Sequence, residues 1–283
     1  MDSNLIVWNA QRNTKLNVLT VPQPYTMSVR FAPNSESLAF GGLDCAVYWI
    51  QNAFGSGSQV RPTPILQHDG YVSSVSFLSN GKLVSGSADR TVRVYDVQRP
   101  GAAEILGEHF RDVMSVDCLG QNLVASGACD GFCRVFDVRD SAMSVSADGV
   151  RAPRPVQMFS ALHADANSVK FSPSGQQVLI GTSANRLLLY DLRSEHVLFK
   201  YEPEVSRAFL AADSQEIRQV AFSHSGRLIF AAGENNVYMF DSLFESYLGV
   251  AGQHETQVTC VEVQPAGECV VSGSWDSLLK VWA

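Results

Sequence analysis

Basic runs are missing from these 283 residues: 21 Lys and Arg stand against 28 Asp and Glu, a formal net charge of −7, with no Lys/Arg-rich cluster to reverse it locally. A chain of that sign repels phosphate backbones, which argues against nucleic acid as a partner. Long apolar runs are missing as well. None reaches the roughly 18 residues of a membrane span, and the opening MDSNLIVWNA has neither the basic start nor the long apolar stretch of a secretory signal. A cytoplasmic address without direct membrane insertion is expected. No C-x-x-C pair joins any of the six cysteines, Cys45, Cys118, Cys129, Cys133, Cys260 and Cys269. Buried, reduced thiols in apolar strands are the expectation, and the Cys129/Cys133 spacing alone does not make a metal site. G-x-x-x-x-G-K-[ST], H-E-x-x-H and G-x-S-x-G are all absent, and GSGS at 55–58 reads as a flexible connector. No cofactor and no metal are expected.

What is present is apolar and periodic. Hydrophobic residues make up 46% of the chain, charged residues 17%, and there are 15 Phe, enough to bury a sizeable core. Short β-branched or aromatic runs recur as LIVWNA, AVYWIQ, VRVYDV, CRVFDV, LLLYDL, VYMFDS and LKVWA. Their aromatics are Trp8, Trp49, Tyr95, Phe136, Tyr190, Phe240 and Trp282, at intervals of 41, 46, 41, 54, 50 and 42 residues. A period of about 40–45 is that of a four-stranded WD-type blade. Seven runs imply a seven-bladed all-β propeller. Within each period the pattern stays strand-like, as in SVSFLS, KLVSGSAD and TVRVYDV, and is broken by Gly, Asn, Asp and Ser at turns. Surplus residues near 141–158 and 201–218 read as loop insertions in a single domain spanning 1–283, and residues 1–20 as the remnant of the first blade. A lone blade cannot bury both faces, so neighbouring sheets must stack.

Three periods repeat a polar set. An Asp lies six residues before the aromatic (Asp89, Asp130 and Asp276), a His precedes it by about half a blade (His68, His109 and His254), and a Ser sits between (Ser85, Ser126 and Ser272). Ser, His and Asp together invite a catalytic-triad reading, in which Asp orients His and His takes the Ser proton. An enzyme needs one such set in one cleft. Three sets at one offset read as a structural relay that satisfies buried polar groups, so no catalytic residue is assigned. Ala184 replaces the Asp in one irregular blade, and Asn235 and Asn236 occupy a shortened turn in another.

The segments NLIVWNA, YTMSVRFAP, GGLD, DGYVSSVSFL, RDVMSV, SGACDGFCRVFDVRDS, VAFSHSGRLIFAAG and SGSWDSLLKVW, in this order and nearly end to end, resemble the β subunit of heterotrimeric G proteins. The resemblance implies a non-enzymatic scaffold in receptor-coupled signalling, at the inner face of the plasma membrane through its partners. Those partners would be a GDP-loaded α subunit and effector proteins. The implied contact residues are Tyr25, in place of the family's Trp in S-W-V-M, Met27 of the same motif, Leu43 of GGLD and Tyr71 after the next blade's His. Asp112 and Met114 of DVMS, Cys129 of GACD, Asp165 and Asn167 of D-x-N, and Trp275 of SWDS complete the set. Taken singly, Met27, Leu43, Met114 and Cys129 would more often be core than interface.

The sequence departs from the family at Tyr25, at Ser183 in place of Asp, and at Asn4 in place of Lys. Family members also carry, before the segment matching residues 4–10, a helix that coils against a γ subunit, an outer strand that closes blade seven, and the inner strands of blade one. These are not in the sequence. Blade one is therefore expected to lack its inner half, blade seven its closing strand, and the chain its γ-binding helix. A generic WD-repeat interaction scaffold, such as a substrate adaptor, or a truncated paralogue without function, are the alternative readings.

Overall fold

A computed structural model describes residues 3–10, 12, 14–22, 25–54, 61–99, 103–139, 143–145, 151–161, 163–203, 216–264, 267 and 269–283. The connector at 55–58, most of the insertion near 201–218 and part of that near 141–158 lie outside them. The described residues form strands and turns without helices, and fall into two compact units, residues 1–126 with 135–156, and residues 127–134 with 157–283.

The first unit opens with a two-stranded sheet of β1 (Asn4–Asn9) and β2 (Thr14–Thr20). Two four-stranded sheets follow in simple chain order. The first has β3 (Thr26–Phe31), β4 (Leu38–Gly42), β5 (Ala46–Ile50) and β6 (Thr63–Gln67), and the second has β7 (Val72–Phe77), β8 (Leu83–Ser87), β9 (Thr91–Tyr95) and β10 (Glu104–Glu108). The next sheet has β11 (Val113–Leu119), β12 (Leu123–Ala128), β13 (Phe132–Asp137) and, after a small hairpin of β14 (Met143–Val145) and β15 (Arg151–Pro153), β16 (Gln157–Ser160). The unit boundary falls within β12 and β13. The hairpin stands where the sequence reads as loop, because three-residue strands carry too little alternation to be recognised.

The second unit continues with β17 (Ala166–Phe171), β18 (Gln177–Thr182), β19 (Leu187–Asp191) and β20 (Val197–Tyr201), then β21 (Gln219–Phe222), β22 (Leu228–Ala232), β23 (Asn236–Asp241) and β24 (Ser246–Gln253). A three-stranded sheet of β25 (Val258–Val263), β26 (Val270–Ser274) and β27 (Leu279–Trp282) ends the chain. Seven blade-like sheets thus follow one another, the first with two strands and the last with three. Each periodic aromatic sits on the third strand of a sheet, or on its equivalent β1 in the first.

Sheets stack within each unit because their inner strands are buried on both faces: every residue of β4 and of β8 is buried. Glycine sets the spacing. A Cβ built on Gly86 would lie 2.7 Å from Val113 Cγ1, and one on Gly181 would lie 2.8 Å from Val220 Cγ1. Backbone on one sheet therefore presses against a branched side chain on the next, a contact that any larger residue would force apart. The resulting cores join neighbouring sheets, with Val84, Val92, Val113 and Val116 in one unit and Leu179, Leu189, Val220 and Ile229 in the other.

A polar clamp accompanies each stack. Ser28 Oγ accepts from the Val75 amide at 3.1 Å, and Ser74 Oγ from Val116 at 3.2 Å. In the second unit Ser168 Oγ accepts from Val220 at 3.2 Å, and Gln219 Oε1 from Val261 at 3.3 Å. On these first strands Ser28, Ser74, Ser168 and Gln219 each satisfy an amide of the following sheet, which no ladder of its own would reach.

Candidate functional site

The turn between the second and third strands explains why Asp recurs six residues before the aromatic. Thr91 N–H donates to Asp89 Oδ1 at 2.9 Å, Phe132 N–H to Asp130 Oδ1 at 3.1 Å, and Leu278 N–H to Asp276 Oδ1 at 2.9 Å, closing an Asx turn each time. The residue after each Asp is left-handed, with φ of 72° at Arg90, 78° at Gly131 and 66° at Ser277.

The same carboxylates reach inward. His68 bridges Asp89 Oδ2 and Ser85 Oγ, each at 2.8 Å, and His254 bridges Asp276 Oδ2 and Ser272 Oγ, each at 2.8 Å. His109 Nε2 lies 2.7 Å from Ser126 Oγ, while Asp130 pairs with Arg134 at 2.6 Å. In the last sheet the proton order can be read: Trp282 Nε1–H, a donor only, donates to Ser272 Oγ at 2.9 Å, leaving the hydroxyl hydrogen for His254 Nε2 and the Nδ1–H for Asp276. Burial pushes the Asp89 carboxyl up, but hydrogen bonds from His68 and Thr91 outweigh it and hold the group below the usual carboxylate range. At Asp276 burial is likewise outweighed, by bonds from Leu278 N–H, His254 and Glu255 N–H, and the group settles at about 2. All three histidines and all three serines are buried. Where the relay is missing, apolar side chains take the serine's place in the register: Phe40, Ile180 and Ala231, all buried.

Antiparallel pairing brings two kinds of loop to one end of every blade, the link into the first strand and the turn after the second. Thr26 pairs with Gly42, Val72 with Ser87, Ala166 with Thr182, and Val258 with Ser274. Seven of the ten contact residues fall in these links and turns, and Met27, Met114 and Asn167 are the second residues of β3, β11 and β17. In the first unit Tyr25, Met27 and Leu43 are 43%, 54% and 48% exposed, and the Leu43 amide donates to the Tyr25 carbonyl at 3.2 Å. Tyr71 and Asp112 are half-buried and joined, the phenol donating to Asp112 Oδ2 at 3.2 Å, and Met114 is half-buried. In the second unit Trp275 is 72% exposed, held by its amide on the Gln257 carbonyl at 3.1 Å. Cys129, Asp165 and Asn167 are half-buried there, and Asn167 Nδ2 donates to the Ile217 carbonyl at 3.1 Å.

Both units therefore hold apolar side chains out into solvent on loops whose backbones are pinned. Comparison with known proteins gives the arrangement a lineage. Residues 61–96 and 246–283 match the family model described as WD domain, G-beta repeat, and residues 104–243 match Nucleolar protein 10-like, N-terminal domain. The guanine nucleotide-binding protein subunit beta of Arabidopsis thaliana is 33% identical over 300 residues, covering 100% of this chain and 75% of its own length. The proteins of the same name from Oryza sativa subsp. japonica and Zea mays are 32% and 31% identical, each over 292 residues, with the same coverage. The chain belongs to the G-protein β subunit family.

Two positions that the resemblance marks as departures make local bonds. Ser183 turns inward: its Oγ accepts from the Asp165 amide and its own amide donates to the Asp165 carbonyl, both at 3.0 Å. Asn4 is half-buried, and its Oδ1 accepts from Thr20 Oγ1 at 3.4 Å.

Two sequence expectations need correction or extension. The cysteines are free thiols, but only Cys133 is buried, where desolvation pushes its pKa to about 12; Cys260 is exposed and the other four are intermediate. Cys260 occupies the clamp position held by Ser168 and Gln219 in earlier sheets, and in its unit no later sheet covers that face. Sequence reading also missed that Met27 and Asn167 sit at β-bulges, where the register shifts between Thr26 and Ser28 and between Ala166 and Ser168. A bulge re-aims one side chain, and no composition signal marks it.

Proposed function

We propose that this β-type chain binds a GDP-loaded G-protein α subunit, and effector proteins, through the blade-end residues, and so serves receptor-coupled signalling as a scaffold. In the first unit these are Tyr25, Met27, Leu43, Tyr71, Asp112 and Met114, and in the second Cys129, Asp165, Asn167 and Trp275. One observation carries the reading: Trp275, 72% exposed, projects from a turn fixed by the Asp276–His254–Ser272 relay. Large aromatics on rigid supports are the side chains that dominate protein interfaces, because little conformational freedom remains to be lost on binding. The relay's task here is support rather than chemistry. Its His is saturated by Asp on one nitrogen and Ser on the other, and the same geometry recurs in another blade.

Immobilised GDP-loaded α subunit tests the reading. The folded chain should be retained, and Trp275→Ala should be retained far less with its circular dichroism unchanged. Retention of wild type and Trp275→Ala alike would count against the named residues. Binding that maps to the insertions near 141–158 or 201–218 would favour a generic WD-repeat scaffold.

A further inference from the structure

We propose that Phe110 is a further anchor on the same partner surface, received by an apolar pocket with an acidic rim on the α subunit; this rests on the reading above. At 79% exposure Phe110 has the highest exposure among the large hydrophobic side chains described. It lies in the four-residue link between β10 and β11, Glu108 being the last residue of one strand and Val113 the first of the next. That link belongs to the same blade end as Tyr71 and Asp112.

The loop around it is fixed on both sides. Before it, the His109 amide donates to the Arg90 carbonyl at 2.8 Å, and the buried imidazole meets Ser126 Oγ at 2.7 Å. After it, Asp112 accepts from the Tyr71 phenol at 3.2 Å, and the Val113 carbonyl accepts from Ser73 Oγ at 2.5 Å. With residues 109, 112 and 113 held, the two between them are presented outward, and both Phe110 and Arg111 are exposed. A largely exposed ring on a rigid loop gains transfer free energy when a partner covers it, with little ordering cost.

Charge specifies the rest of the pocket. Arg111 follows Phe110 directly, and Arg90, also exposed, lies where its carbonyl meets His109. The two cations alternate with carboxylates, since Glu108, also exposed, and Asp112 bracket the link and Asp112 is engaged by the Tyr71 phenol. The complement is a hydrophobic cavity with carboxylates on the side that meets Arg90 and Arg111, the charges governing encounter rate and salt dependence more than depth of binding.

Titration of GDP-loaded α subunit with four full-length chains tests this. Wild type sets the reference, and Trp275→Ala reports on the surface as a whole. Phe110→Ala should weaken binding about tenfold or more, as truncation of an aromatic anchor does. Arg111→Glu should slow association several-fold and flatten its salt dependence, and it stands in for the alanine variant should that fail to fold. Circular dichroism should be unchanged in both, because both side chains are exposed. Wild-type affinity in Phe110→Ala and Arg111→Glu, with Trp275→Ala weakened, overturns this inference and leaves the surface assignment standing. Absence of binding by folded wild type overturns both.

Discussion

Ser272→Ala should destabilise the chain more than Ser85→Ala, although both remove one buried hydroxyl from the same relay position. At Ser85 the hydroxyl faces His68 Nε2 at 2.8 Å, whereas Ser272 serves two groups, His254 Nε2 at 2.8 Å and Trp282 Nε1 at 2.9 Å. Alanine nearly preserves the volume, so cavity terms are small and the cost is that of the polar groups left without partners, about 1–3 kcal/mol for each buried one. His254 is buried, while Trp282 is only partly so and recovers some hydration. The expected losses are therefore about 1–3 kcal/mol for Ser85→Ala and about 2–4 kcal/mol for Ser272→Ala. Urea denaturation followed by tryptophan fluorescence and far-ultraviolet circular dichroism measures both. A Ser272→Ala chain within about 0.5 kcal/mol of wild type, the range of ordinary surface changes, would refute the relay as a stabilising element.

Packing and protonation give further expectations. Gly86→Ala places a methyl 2.7 Å from Val113 Cγ1 and 2.9 Å from Val116 Cγ1, and should cost about 1–3 kcal/mol by overpacking; an unchanged denaturation midpoint would contradict the stacking described. Asp89 and Asp276 have folded-state pKa values below the ordinary carboxylate value near 4, so their stabilisation is complete above about pH 4 and is lost as pH falls toward about 2. Urea midpoints at pH 7, 4 and 2.5 should fall between the last two, and less so in an Asp89→Asn, Asp276→Asn chain. Equal slopes in the two chains would disprove the assignment.

The blade count was legible because an aromatic on the third strand is fixed by sheet geometry: Trp49, Tyr95, Phe136, Tyr190, Phe240 and Trp282 all sit there, on β5, β9, β13, β19, β23 and β27. The relay was legible for the same reason, since a buried His obliges nearby partners and the obligation repeats with the period. Side-chain exposure was less so. Met27 and Leu43 are apolar and, by type alone, belong inside; the bulge at Met27 and the turn after β4 turn them out, and register is a property of paired strands rather than of one. Phe110 gave no signal, because one aromatic in a polar link has no period to betray it. Cys260 sits in an apolar strand run yet is exposed, since burial there depends on what the neighbouring sheet supplies.

Calorimetric titration of the folded chain with GDP-loaded α subunit bears most directly on the central claim, that pinned blade-end side chains are the working surface of this β-type protein. Saturable binding that weakens tenfold or more in Trp275→Ala, at unchanged stability, is the expected result. The same affinity with and without Trp275, or heat of dilution alone from a chain proven folded, would contradict it.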